Sequence, residues 1–124
     1  MANRPARIRV VVTGVGVVTP LGNTLEESWK NALAGRSGIA NITRFNTEAY
    51  DVKFAGEVKN LNLDDYIPKK EQKKMDTFIH YSLAAAKMAM DHAKLVVSPE
   101  MGARAGCIIG VGMGGLPSIE EQYK

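Results

Sequence analysis

The chain has 124 residues, of which 45% are hydrophobic, 23% charged and only 6% aromatic, with a formal charge of +3. That length leaves room for about one domain and one modest core, and the composition is that of a soluble globular chain rather than a disordered one. The mild charge comes without a basic stripe interleaved with aromatics or a zinc-finger spacing, which argues against nucleic acid as a partner; the single cysteine cannot form an internal disulfide, no Cys/His cluster has metal-ligand spacing, and no apolar run approaches the ~20 residues that span a bilayer.

The chain opens with a basic stretch, Met1 to Arg7, followed by a short β-branched run from Ile8 to Val12. Because Thr13 and Gly14 interrupt that run, it reads as a buried strand and not as a signal peptide, and with one cysteine a reducing cytoplasmic compartment is the default. Thr13-Gly14-Val15-Gly16 bends the chain, and Thr19 stands where a dinucleotide fingerprint starting at Gly14 would need glycine. A turn at Thr19-Pro20-Leu21-Gly22-Asn23 leads to Thr24, which can cap a helix from Leu25 to Ala34 with Glu27 at capping-box distance. Leu25, Trp29, Ala32 and Leu33 fall near one face of it, so Trp29 is expected as a core anchor. Arg36 to Ala49 reads as an ordered loop pinned by Ile39, Ile42 and Phe45, and Val52 to Val58 as a half-exposed edge strand.

Pro68 introduces the longest periodic stretch, Lys69 to Ala93, expected as one helix that is largely buried beyond Met75. Its first turns crowd Lys69, Lys70, Lys73 and Lys74 around Glu71, against the sense of the helix dipole. By themselves these charges favour a solvated face over a docking site for an acidic partner. His80 and His92 lie too far apart on the helix to share a metal and read as structural. Leu95 to Ala103 is a connection in which Pro99 ends any helix.

Next comes Ala105 to Gly115, in which Cys107 to Ile109 form an apolar run before four glycines in six positions, and Leu116-Pro117 with the following acids suits a helix start. Four readings stay open here. Gly110-x-Gly112-x-x-Gly115 fits a dinucleotide fingerprint; Cys107 could be a nucleophile, although a cysteine in an apolar strand is more often inert; the glycines could clear the wall of an acyl cavity gated by Met113; and a tight strand-to-helix turn needs no ligand at all. The element order is α/β, with the first and last strands expected to be adjacent and parallel.

Several blocks in this order resemble the N-terminal part of the type II β-ketoacyl-acyl carrier protein synthases, the elongating condensing enzymes of bacterial fatty acid synthesis. They are Val10 to Gly16, Thr19 to Asn23, Trp29 with Leu33 and Gly35, Ser37-Gly38-Ile39, Phe45, Lys53 to Gly56, Lys70 to Asp76, and the Gly110-x-Gly112-Met113-Gly114-Gly115 turn. The resemblance implies a thiolase-like fold of layered αβαβα type, of which residues 1–124 are an incomplete N-terminal ketosynthase domain, and a cytoplasmic homodimer that needs no cofactor or metal. It also implies a cysteine that accepts an acyl chain and two histidines that assist decarboxylation of malonyl-carrier protein, all beyond Lys124, so no catalytic residue is expected within 1–124. Met113 matches the acyl pocket, where isoleucine is more common in the family. Lys70, Lys73 and Lys74 match the face that docks acidic acyl carrier protein, which reverses the preference for a plain solvated face. A dinucleotide-binding module and a non-catalytic interaction fragment are the alternatives.

Overall fold

The structure, a computed structural model, describes residues 8–123; the basic stretch from Met1 to Arg7 lies outside them. Its helices are α1 (Leu25–Leu33), α2 (Lys69–Gln72), α3 (Thr77–Ala93), α4 (Pro99–Gly102) and α5 (Leu116–Tyr123), and its strands are β1 (Ile39–Asn41) and β2 (Phe54–Gly56). α1 begins as its residues dictate. The Thr24 hydroxyl accepts from the Glu27 N–H at 3.1 Å while the Glu27 carboxylate reaches back to the Asn23 N–H at 2.9 Å, which satisfies two backbone donors at the helix start. The preceding turn is closed by paired backbone bonds between Thr19 and Gly22 and fastened to α1 through Ser28, whose hydroxyl donates to the Gly22 carbonyl at 3.0 Å. The buried contact of α1 is therefore polar Ser28, and the expected anchor Trp29 is 63% exposed.

β1 and β2 pair antiparallel with Ala40 opposite Ala55. The loop expected over Arg36 to Ala49 thus contains a strand, and the expected edge strand is shortened to three residues. Thr43 donates through its N–H and hydroxyl to the Glu57 carboxylate, at 3.0 and 2.7 Å, and those bonds hold the Glu57 carboxyl below its usual range. The Arg44 guanidinium donates to the Tyr81 hydroxyl at 2.5 Å and ties the hairpin to α3.

The single helix expected from Lys69 to Ala93 is two. α2 ends at Gln72, and Asp76, in extended conformation, caps α3 by accepting from the Thr77 N–H at 2.9 Å. An aspartate next to its own helix-start donor competes with continued helix, and the lysines opposing the dipole do not favour extension. Pro99 likewise begins a helix, α4, instead of ending one, because its missing N–H costs nothing at the first helical position. α5 starts where the sequence predicts.

The larger corrections concern the two apolar runs. Neither Ile8 to Val12 nor Cys107 to Ile109 is hydrogen-bonded into a sheet, so the expected parallel pair is absent among the described residues; Ile108 is 99% exposed. A strand covered on both faces needs hydrogen-bonded neighbours at its edges, and among the described residues neither run has a ladder partner. α3 is not largely buried either: Ala84 is fully covered, and Ile67 at 3% exposure is the other buried apolar residue among those described.

The bend at Gly14 to Gly16 crosses the alanine face of α3. A Cβ at Gly16 would overlap the Ala85 carbonyl oxygen and lie 2.7 Å from the Ala89 nitrogen, and the Val15 N–H donates to His92 Nδ1 at 3.1 Å. Gly16→Ala is therefore expected to lift this segment off α3 at a cost of about 1–3 kcal/mol, in the range of overpacked sites. Chemical denaturation of the wild type and the variant checks this, and an unchanged midpoint would remove Gly16 as a contact determinant.

Candidate functional site

Two of the site residues singled out in sequence, Lys74 and Met113, line one open groove of about 490 Å³ between the start of α3, the glycine turn and α5, and Lys70 and Lys73 do not. Lys74 and Asp76 stand on one wall with Phe78, and Met113, Ser118 and Ile119 on the other. Gly114 and Gly115 both have left-handed backbones, with φ of 54° and 58°, and this pair of residues turns the chain from the apolar run into α5. The turn also lies close: a Cβ at Gly114 would be 3.2 Å from the Phe78 ring and one at Gly115 would be 3.2 Å from the Asp76 carboxylate. Met113, 78% exposed, thus sits on an open rim rather than inside a closed cavity.

Asp76 joins the two walls. Besides capping α3, its carboxylate accepts from the Ser118 hydroxyl at 2.6 Å, and the Ser118 bond followed by the Thr77 N–H keeps its carboxyl below the usual range. The sequence reading gave Asp76 and Ser118 no role, although an aspartate directly before an apolar helical run is an N-cap signal.

The lysines are not equivalent. Lys69 pairs with Asp64 at 3.2 Å and Lys74 with Glu71 at 2.8 Å, whereas Lys70 and Lys73 have no ion-pair partner among the described residues. All four are exposed. Since α2 ends at Gln72, Lys70 and Lys74 are not one continuous helical step apart; Lys73 caps α2 and Lys74 lies on the connection that leads to the groove.

The other candidates do not assemble into chemistry. Cys107 is exposed on a second, largely apolar groove. His80 Nε2 donates to the Gln72 carbonyl at 2.9 Å and bridges the break between α2 and α3, and His92 accepts from Val15 on the far part of α3. Among the described residues no group of three His, Cys, Asp or Glu could hold a metal ion, and no helix is long and apolar enough to cross a membrane. Of Gly110, Gly112 and Gly115, only Gly115 has a left-handed φ, a Cβ at either of the others would enter open space, and no paired strand precedes them. The dinucleotide reading loses the strand-turn-helix context it requires.

Comparison with known proteins agrees with this weighting. Residues 7–124 match the family described as "Beta-ketoacyl synthase, N-terminal domain". Over 116 residues the chain is 50% identical to 3-oxoacyl-[acyl-carrier-protein] synthase 2 of Vibrio cholerae, and over 117 residues 45% identical to the protein of that name from Staphylococcus aureus; each alignment takes in 94% of this chain and 28% of the relative. Among solved structures, the ishigamide ketosynthase/chain length factor matches 73% of this chain and 23% of its own with a TM-score of 0.64 and 39% identity. The fold is accordingly α/β, the N-terminal part of a thiolase-like architecture, and the chain spans 28% of the length of the curated relatives it matches.

Proposed function

We propose a function from one premise: this chain belongs to the beta-ketoacyl synthase family, its residues 7–124 matching the N-terminal domain. It is the N-terminal part of a 3-oxoacyl-acyl carrier protein synthase of the second type, which condenses an acyl thioester with malonyl-acyl carrier protein in fatty acid elongation. The observation that carries this reading is 50% identity to such a synthase across 94% of the chain. In the reaction a cysteine thiolate first takes the acyl group as a thioester. Loss of carbon dioxide from the malonyl unit then leaves an enolate whose carbon attacks that thioester, forming the new carbon-carbon bond and releasing the thiolate. Donors aimed at the developing enolate oxygen lower the barrier.

Within 1–124 this chain contributes binding surfaces to that chemistry. Lys70 and Lys73, exposed and without internal ion pairs, and Lys74 on the groove rim present positive charge to an acidic carrier protein. Met113 borders the path of the acyl chain. The complete enzyme works as a cytoplasmic homodimer, and none of Cys107, His80 and His92 serves as its nucleophile or as a histidine of its active site. Residues 1–124 alone are therefore expected to give no condensation of acyl- and malonyl-carrier protein above a no-enzyme control, and turnover abolished by Cys107→Ala would refute this.

The positive test is a chimera in which residues 7–124 replace the matching segment of the Vibrio cholerae synthase. It is expected to condense acyl- and malonyl-carrier protein. A folded, dimeric chimera that accepts the acyl group on its cysteine but fails to condense, or that accepts no carrier-linked acyl group, would overturn the reading.

A further inference from the structure

Asp76 and Ser118 lie 42 positions apart in sequence, yet they form one of the shortest side-chain bonds in the structure, 2.6 Å, across the groove that Lys74 and Met113 share. One carboxylate oxygen of Asp76 holds the first N–H of α3 and the other holds a hydroxyl in the first turn of α5. Between them the glycine turn is seated so closely that a side chain at Gly115 would press on the same oxygen. The first backbone bond of α5, from the Ile119 N–H to the Gly115 carbonyl at 3.0 Å, follows directly from that seat. Lys74 precedes Asp76 by two residues and Met113 precedes Gly115 by two, so one side-chain bond joins the wall that bears the basic face to the wall that bears the acyl-pocket residue.

We propose that Asp76 is a positioning residue that, through Ser118, fixes the Met113 turn relative to the lysine face and thereby sets which acyl chain lengths the groove accepts. The proposal rests on the synthase reading above. A hydroxyl bound to a carboxylate is short and directional, so it defines a single separation of the two walls. Without it, what remains at this point among the described residues is weaker: the Ser118 backbone N–H near the same carboxylate, the close approach of Gly114 and Gly115 to Phe78, and Ile119 lining the open groove. Met113, flexible and on the rim, would then lose its fixed position, and discrimination among chain lengths would relax before carrier binding does.

The test uses the chimera, whose unsubstituted form first reports on the synthase reading by itself. In the active chimera Ser118→Ala and Asp76→Asn are expected to change the ratio of kcat for a long over a short acyl-carrier substrate by about tenfold, the effect of one hydrogen bond to a charged group, with KM for carrier protein little altered. The double variant should change the ratio no further than either single variant, and Ser118→Thr, which keeps the hydroxyl, should restore it. An unchanged ratio, or an equal loss at every chain length that tracks a lower melting temperature, would overturn the proposal.

A second measurement needs no activity. In a chimera whose cysteines, Cys107 and the acyl-accepting one included, are replaced by serine, Met113→Cys gives a single thiol whose alkylation rate reports how firmly the turn is held. Adding Ser118→Ala to that chimera should raise that rate about tenfold, and Ser118→Thr should not. An unchanged rate would show that the bond does not position the turn.

Discussion

Lys70, Lys73 and Lys74 replaced together by glutamate in the chimera are expected to raise KM for acyl-carrier protein by at least about tenfold, while kcat/KM for a small acyl-pantetheine stays nearly unchanged. Each exposed charge contributes little by itself, about 0.2–1 kcal/mol, but reversing three of them turns an attractive face into a repulsive one. The effect should be largest at low salt and shrink as ionic strength rises, because beyond ~0.15 M the screening length falls below about 8 Å. Single replacements separate the three. Lys70 and Lys73 have no ion-pair partner among the described residues and should carry most of the loss, whereas Lys74 must first give up its 2.8 Å contact with Glu71. Glu71→Gln would release Lys74 and is expected to lower KM. Equal losses with carrier-linked and small substrates would mean that the lysines support the fold or the reaction site instead of docking.

Residues 1–124 produced alone should self-associate. The chain exposes 10838 Å², where a compact monomer of its 13.5 kDa mass would expose roughly 6500 Å². The excess is larger than the roughly 1600 Å² that a standard protein interface buries, so one ordinary contact would not cover it. Much of it is apolar: Ile8, Val10, Val12, Leu33, Val96 and Ile108 are all exposed, several of them in extended runs whose backbone groups lack sheet partners. Light scattering should therefore show oligomers or aggregates at micromolar concentration, and binding of a hydrophobic dye should be strong. In the chimera both signs should disappear as the rest of the synthase covers these residues. A monodisperse monomer of residues 1–124 with a cooperative thermal transition would contradict this.

The local signals in the sequence were accurate where the cause of the structure is local. Thr24 and Glu27 cap α1, the Thr19 to Gly22 turn closes on its own backbone, and α5 begins at Leu116. The break at Asp76 was legible in principle, since an aspartate before Thr77 marks a helix start, but continuous apolar periodicity from Met75 onward concealed it. Periodicity reports which side chains could share a face and says little about whether the backbone stays helical between them.

The ordered blocks from Val10 to Gly115 also sufficed to place the chain in its family, since composition, charge and cysteine count only narrowed the class. What the sequence by itself determined is thus the family, the caps and turns, and the identity of the groups available for contact. Tertiary structure decided the rest. Apolar runs at Ile8 to Val12 and Cys107 to Ile109 have the composition of core strands, but a strand exists only when other strands satisfy its N–H and C=O groups. Whether Trp29 is a buried anchor, whether Lys74 is unpaired, and that Asp76 meets Ser118 beside Met113 likewise depend on which distant segments arrive at the same place. No spacing along the chain encodes the last of these contacts, because it is made between residues 42 positions apart by the way α3, the glycine turn and α5 come together.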